Sequence, residues 1–180
     1  MHYLFLPDIH FGYFRDGDTL SPVHDEDAVG VVLNVARAYQ PTNIVVLGDM
    51  LDLAGFGSYT TSPAHRHLAN EALQRAYDFF TDLRSVAPDA NIIVLEGNHE
   101  ARINRYLCDR APEAAGIKRP GDTAPVLSVK SLLRLDEMGI EYVGPYGTHY
   151  WTPEGVRVLH GELIGKNGGD TASKMLNAYA

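Results

Sequence analysis

The stretch Asn91–Glu100, NIIVLEGNHE, constrains this chain more than any other. Ile92, Ile93, Val94 and Leu95 make an unbroken aliphatic run, which predicts a strand buried on both faces of a covered sheet. The run stops at Gly97 and delivers an amide, an imidazole and a carboxylate in a row: Asn98, His99, Glu100. Open α/β sheets bind ligands beyond the carboxyl ends of their strands, so this polar triplet is well placed for chemistry. The same grammar recurs three times. Tyr3–Leu6 is followed by Pro7, Asp8, Ile9 and His10; Ile44–Leu47 by Gly48, Asp49, Met50, Leu51 and Asp52; Val156–Leu159 by His160 and Gly161. With the strands side by side, Asp8, His10, Asp49, Asn98 and His160 converge on one edge as a metal site.

Size and charge narrow the classes. A chain of 180 residues suits one domain, 1–180, large enough to bury a core without staples. A formal charge of −8 argues against a broad nucleic-acid groove, although bound divalent ions reverse the local sign. Cys108 is the only cysteine, which excludes an internal disulfide framework and favours a reducing compartment. Its spacing from Asn104 suits a half-buried, inert thiol. Pro7 and Asp8 end the first apolar run too early for a signal core, and no run reaches the length of a membrane span. The expected setting is cytoplasmic, with no membrane partner.

The remaining elements follow from periodicity and punctuation. Phe11–Val23 mixes Gly, Asp, Ser and Pro and reads as a long loop, placed to act as a lid or binding wall. Asp25, Glu26 and Asp27 suit the start of a helix ending near Tyr39, before Pro41. A second helix is expected from Ala64, carrying Leu68, Ala72, Leu73, Ala76, Phe79, Phe80 and Leu83 on one face, with His65 and His67 in its first turn. Ala101–Arg110 and Val126–Met138 read as helices, the latter closed by Gly139. Short strands are expected at 141–143, 147–151 and 156–159, and a last helix at Asp170–Ala180.

Carboxylates, imidazoles and an amide together suit borderline divalent ions: Mn²⁺ first, Fe²⁺ or Zn²⁺ as alternatives, Mg²⁺ less. A carboxylate shared by two ions holds them roughly 4 Å apart, which suits in-line displacement at phosphorus. His99, beside Asn98, is placed to protonate the departing oxygen, and Asp52 or Glu100 to fix an imidazole tautomer.

Asp8-x-His10, Gly48-Asp49-x-x-Asp52, Gly97-Asn98-His99-Glu100 and His160-Gly161, in that order, resemble the signature of the calcineurin-like metallophosphoesterases. The resemblance covers residues 8 to 161. It implies that Asp8 and His10 hold one metal, that Asp49 bridges both, that Asn98 and His160 hold the second, and that His99 is the general acid. It further implies a four-layer α-β-β-α sandwich of two mixed sheets, and phosphoester hydrolysis by a hydroxide generated between two metal ions. One departure stands out. The family signature closes on Gly-His-x-His, one further ligand per metal, and no such motif follows His160 here. The expectation is a domain truncated at its C-terminus that binds metal less tightly, unless a neighbouring chain supplies the histidines.

Acidic charge and the aromatics Tyr13, Phe14, Tyr59, Tyr150 and Trp151 favour a small nucleotide-like or cyclic phosphodiester over duplex DNA. Arg102, one helical turn past His99, and Arg15 are candidate phosphate contacts. The alternatives are a catalytically weakened scaffold of the same fold, and a nuclease or phosphomonoesterase. Gly165–Gly169 lacks the Lys-Ser/Thr ending of a phosphate loop and reads as a flexible connection.

Overall fold

The computed structural model describes residues 1–57, 62–161, 163, 165–167 and 169–179. Its spine is a four-stranded, all-parallel sheet of β1 (Tyr3–Leu6), β4 (Asn43–Val46), β5 (Asn91–Leu95) and β6 (Ile140–Val143), in that spatial order. Tyr3 pairs with Asn43, Asn43 with Asn91, and Ile92 with Ile140, so the strands end at nearly the same level. Between β1 and β4 come β2 (Tyr13–Asp16), β3 (Thr19–Pro22) and α1 (Glu26–Tyr39). α2 (Ala69–Val86) joins β4 to β5; α3 (Ala101–Arg110) and the one-turn helices α4 (Pro112–Ala115) and α5 (Val129–Leu132) lead to β6. The chain then forms β7 (Tyr150–Trp151), β8 (Arg157–Val158) and α6 (Asp170–Tyr179). The fold is mixed α/β.

Alternation along the strands sorts the core into two parts. Leu6, Ile44, Val46, Ile92 and Val94 face the helices, where Ala36, Ala76, Phe79, Phe80 and Leu83 meet them. Val45, Ile93 and Leu95 face the other way, onto Val158 and Tyr150 of the β7–β8 pair. That double coverage is why these strands read as continuous aliphatic runs. α1 begins where Asp25 accepts the Ala28 N–H at 3.0 Å, and Glu26 and Asp27 sit in its first turn as expected.

Several expectations are corrected. Phe11–Val23 is no featureless loop: β2 and β3 form an antiparallel hairpin whose two-residue turn, Gly17-Asp18, has Gly17 at φ +57°. α2 starts at Ala69 rather than Ala64, because Pro63–His65 forms a 3₁₀ turn and His67 takes a left-handed φ of 59°. His65 and His67 therefore precede the helix. Val126–Met138 is no single helix. Leu133 and Leu135 are both fully buried, and residues two apart on a helix point about 200° apart. Arg134, at φ 53°, turns the chain so that both face inward, and Gly139 closes the following 3₁₀ turn as expected. β8 pairs with β7, not with the main sheet. Cys108 is exposed. No helix among the described residues is long and apolar enough to cross a membrane.

Candidate metal centre

The carboxyl ends of β1, β4 and β5 are stitched together past the last regular pair. His10 N donates to Asp49 O (3.0 Å), Phe11 N to Met50 O (2.7 Å) and Asp52 N to Phe11 O (2.9 Å). The chain makes this seam by unusual means. Asp8, His10 and Asp49 hold φ of 39°, 53° and 48°. A left-handed non-glycine residue costs on the order of 1–3 kcal/mol and persists only where surroundings enforce it. Asp8 and His10 follow β1 and Asp49 follows β4, so the left-handed residues gather at the ends of two neighbouring strands.

Glycines let the turns approach. A Cβ at Gly97 would collide with the backbone N and Oδ1 of Asp49. A Cβ at Gly48, which sits at φ +95°, would lie 2.7 Å from His160 Nδ1 and 2.8 Å from Gly97 N. Glycine precedes Asp49 and Asn98 because the two ligand-bearing turns touch there.

Glu100 holds the seam from beneath. It is 1% exposed and accepts three backbone N–H groups: Asp49 (2.9 Å) and Gly97 (2.9 Å) on Oε2, Leu51 (2.7 Å) on Oε1. Burial pushes its carboxyl up to about 7, against the pull of those donors. The expectation that Glu100 fixes an imidazole is thus replaced: it touches backbone, because its place at the start of α3 turns it inward beneath both turns. Asp52 lies beside two imidazoles. Its Oδ1 lies 3.4 Å from His99 Nδ1 and 4.0 Å from His10 Nδ1.

Asp49, 5% exposed, is the hub. Its Oδ2 lies 3.8 Å from both His10 Nε2 and His99 Nε2, and its Oδ1 lies 3.5 Å from His160 Nε2. Oδ1 also accepts the His99 N–H at 2.9 Å. Among the described residues two ligand groups result, each with donor atoms mutually within 4.8 Å: His10–Asp49–His99, and Asp8–Asp49–His160. Asp8 therefore falls with His160 rather than with His10. Asn98 joins that second group, with Oδ1 3.0 Å from His160 Nε2.

His160 tests whether a cation fits. Its Nδ1 donates to Leu47 O at 2.9 Å, which fixes the tautomer and leaves Nε2 as a lone pair. As Asn98 is oriented, that lone pair looks at two further oxygens, Asn98 Oδ1 and Asp49 Oδ1, with no proton among the three. Three converging lone pairs suit a divalent cation. His160 reaches the edge from β8 across the second face of the sheet, not as the end of a fourth adjacent strand.

His99 faces two ways. Nδ1 donates to Asp52 O at 2.8 Å, and Nε2 accepts from Arg102 Nη2 at 2.7 Å; Arg102 Nη1 also reaches Asp52 O at 2.8 Å. Burial lowers the His99 pKa, but the Asp52 and Asp49 carboxylates outweigh it and the net shift is upward, with Arg102 opposing. Burial, then His99, lower the pKa of His10, and the hydrogen bond to His99 lowers that of Asp52. Arg102 is thus in the site. Arg15 instead lies 3.8 Å from Glu71. Of the aromatics, Tyr13 packs on His24, Phe14 on His65 and Tyr150 in the second core, while Trp151 lies under Arg157. Tyr59 and Gly168 lie outside the described residues.

Sequence reading passed over a cleft of about 630 Å³ that opens beside Asp52 and runs to His65, Arg66 and His67. The two histidines and the intervening arginine after Pro63 were its only signal.

No protein-family model matches this chain, and no curated protein matches it.

Proposed function

We propose that the protein is a phosphodiesterase of the calcineurin-like metallophosphoesterase type, working with two divalent ions, Mn²⁺ first among them. One observation carries the reading: the two oxygens of Asp49 face different ligand groups, as those of a carboxylate bridging two ions can. The order of the four sequence blocks supports it, as does the left-handed backbone at Asp8, His10 and Asp49. The finer fold proposed with it is the four-layer sandwich of two mixed sheets, of which β7–β8 would be part of the second.

Asp8, Asn98 and His160 with Asp49 would hold one ion, and His10 with Asp49 the other. Bound there, the ions supply Lewis acidity and lower the pKa of water. The chain's own groups do the rest. Water adds across the scissile P–O bond: its oxygen bonds to phosphorus as the bond to the departing oxygen breaks, that oxygen takes a proton from His99, and the proton given up by water passes to solvent, from which His99 is protonated again. Asp52 anchors the imidazole through Nδ1 and, with Asp49, favours the protonated ring. For Nε2 to serve as donor, Arg102 must release it, and a phosphate oxygen is the natural new partner for that guanidinium.

The test is Mn²⁺-dependent hydrolysis of bis-p-nitrophenyl phosphate. Loss of turnover in His99→Ala, with metal uptake retained, is the expected result. Strong preference for a monoester overturns the diester reading. Metal uptake without turnover on any phosphoester overturns the catalytic one and leaves the weakened scaffold.

A further inference from the structure

We infer that the cleft beside Asp52 receives the leaving-group half of the substrate, and that this half carries an aromatic ring and a second anionic group. The simplest molecule of that class is a nucleotide bearing a further phosphate. The inference rests on the phosphodiesterase reading above and deepens it.

The cleft adjoins the metal edge through one shared side chain. Asp52 lines its inner end and also stands 3.4 Å from His99 Nδ1. A group leaving phosphorus beside His99 would therefore find this space open to it. At about 630 Å³ the cleft falls within the range of small-molecule sites, roughly 300–1,000 Å³.

Charge along the cleft runs against that of the protein. The chain carries −8 overall, yet Asp52 is the only carboxylate on the cleft wall among the described residues. Its outer end holds His65, Arg66 and His67 in sequence. Arg66 is exposed and its guanidinium makes no hydrogen bond or ion pair among the described residues, unlike Arg15, Arg75 and Arg102. The Nδ1 of His65 is buried without a hydrogen-bond partner. An exposed, unpaired guanidinium flanked by two imidazoles is the equipment for a phosphate.

The cleft wall also carries two aromatic rings. Phe56 and Tyr106 meet edge to face, ring centroids 5.4 Å apart at 82°, and Tyr106 is 44% exposed. An exposed ring on the wall of a cleft that also holds Asp52 and Arg66 is where a base would stack.

Three ligands separate the parts: adenosine 3′,5′-bisphosphate, adenosine 5′-monophosphate and orthophosphate, titrated calorimetrically with and without Mn²⁺. Arg66→Ala should weaken the bisphosphate about ten-fold and leave the monophosphate and orthophosphate unchanged, with Arg66→Lys partly restoring it. Tyr106→Ala should weaken both nucleotides and not orthophosphate. The inference is overturned if Arg66→Ala leaves the bisphosphate unchanged, or weakens all three ligands alike. Should Mn²⁺ tighten none of them while the Arg66 and Tyr106 effects stand, the cleft is supported and the metal reading alone fails.

Discussion

Two polar clusters touch the segment Phe11–Gly12, and they are built on opposite plans. Around Glu26 everything is paired. His24 Nε2 meets Glu26 Oε1 at 2.7 Å, Arg75 grips the same carboxylate through Nε (2.9 Å) and Nη2 (2.6 Å), and the guanidinium lies 5.0 Å over the Phe11 ring. One anion meets one cation, and helical backbone carries both. Around Asp49, three imidazoles face carboxylate oxygens at 3.5 to 3.8 Å, too far for hydrogen bonds, and both Asp49 and His10 stand on left-handed backbone. The first cluster is complete within the protein and is there for stability. The second spends stability to bring lone pairs together, as the proposed metal site requires.

The sharpest way to break that contrast is to exchange the hubs' fates. Asp49→Ala should lower phosphodiesterase activity by on the order of 10²–10³-fold, the scale of losing one preorganised electrostatic group. Glu26→Gln should leave it unchanged. Equal losses in a steady-state assay would erase the distinction.

Next in size is the steric claim. Gly97→Ala should destabilise the fold by about 1–3 kcal/mol through overpacking against Asp49. Gly30→Ala, in α1 with nothing within 4 Å of the added methyl, should stabilise it by about 0.5–1 kcal/mol. Denaturant titration reads both; like signs would contradict the close approach of the two turns.

A smaller effect concerns Arg102. Removing its charge in Arg102→Ala should raise the His99 pKa further, because the cation opposes protonation of the ring it touches. Imidazole titration by NMR checks the sign, and a fall would contradict the assigned contact.

Smallest is the stability held by Glu26. Arg75 holds its pKa at about 2 against an ordinary 4.5, so its contribution is present above 4.5 and is lost as pH falls toward 2. With 45% of the side chain exposed, Glu26→Gln should cost below about 1 kcal/mol at neutral pH and nothing at the acid end. A cost independent of pH would show that packing, not charge, is lost.

Much of this was legible in the sequence wherever one physical demand dominated. Strands covered on both faces must be aliphatic throughout, so β4 and β5 stand out, β1 shows as a short apolar run, and α3 has the bounds its periodicity gives. Asp49, Asn98 and His160 come together as their strand-end positions suggested, although His160 arrives across the other face. What escaped depends on contacts distant in sequence. Glu100 reads as the partner of an imidazole until the three N–H groups it accepts are seen. The break at Arg134 follows from burying Leu133 and Leu135 together, which no local pattern requires. The β2–β3 hairpin had its signal in Gly17-Asp18, masked by the polar composition around it.

The bridging role of Asp49 is tested most directly by Mn²⁺ titration followed by electron paramagnetic resonance. Two Mn²⁺ per chain with a spin-coupled signal, lost in Asp49→Ala, is the outcome expected of a shared carboxylate. A single uncoupled Mn²⁺, or a coupled pair that survives Asp49→Ala, would contradict it.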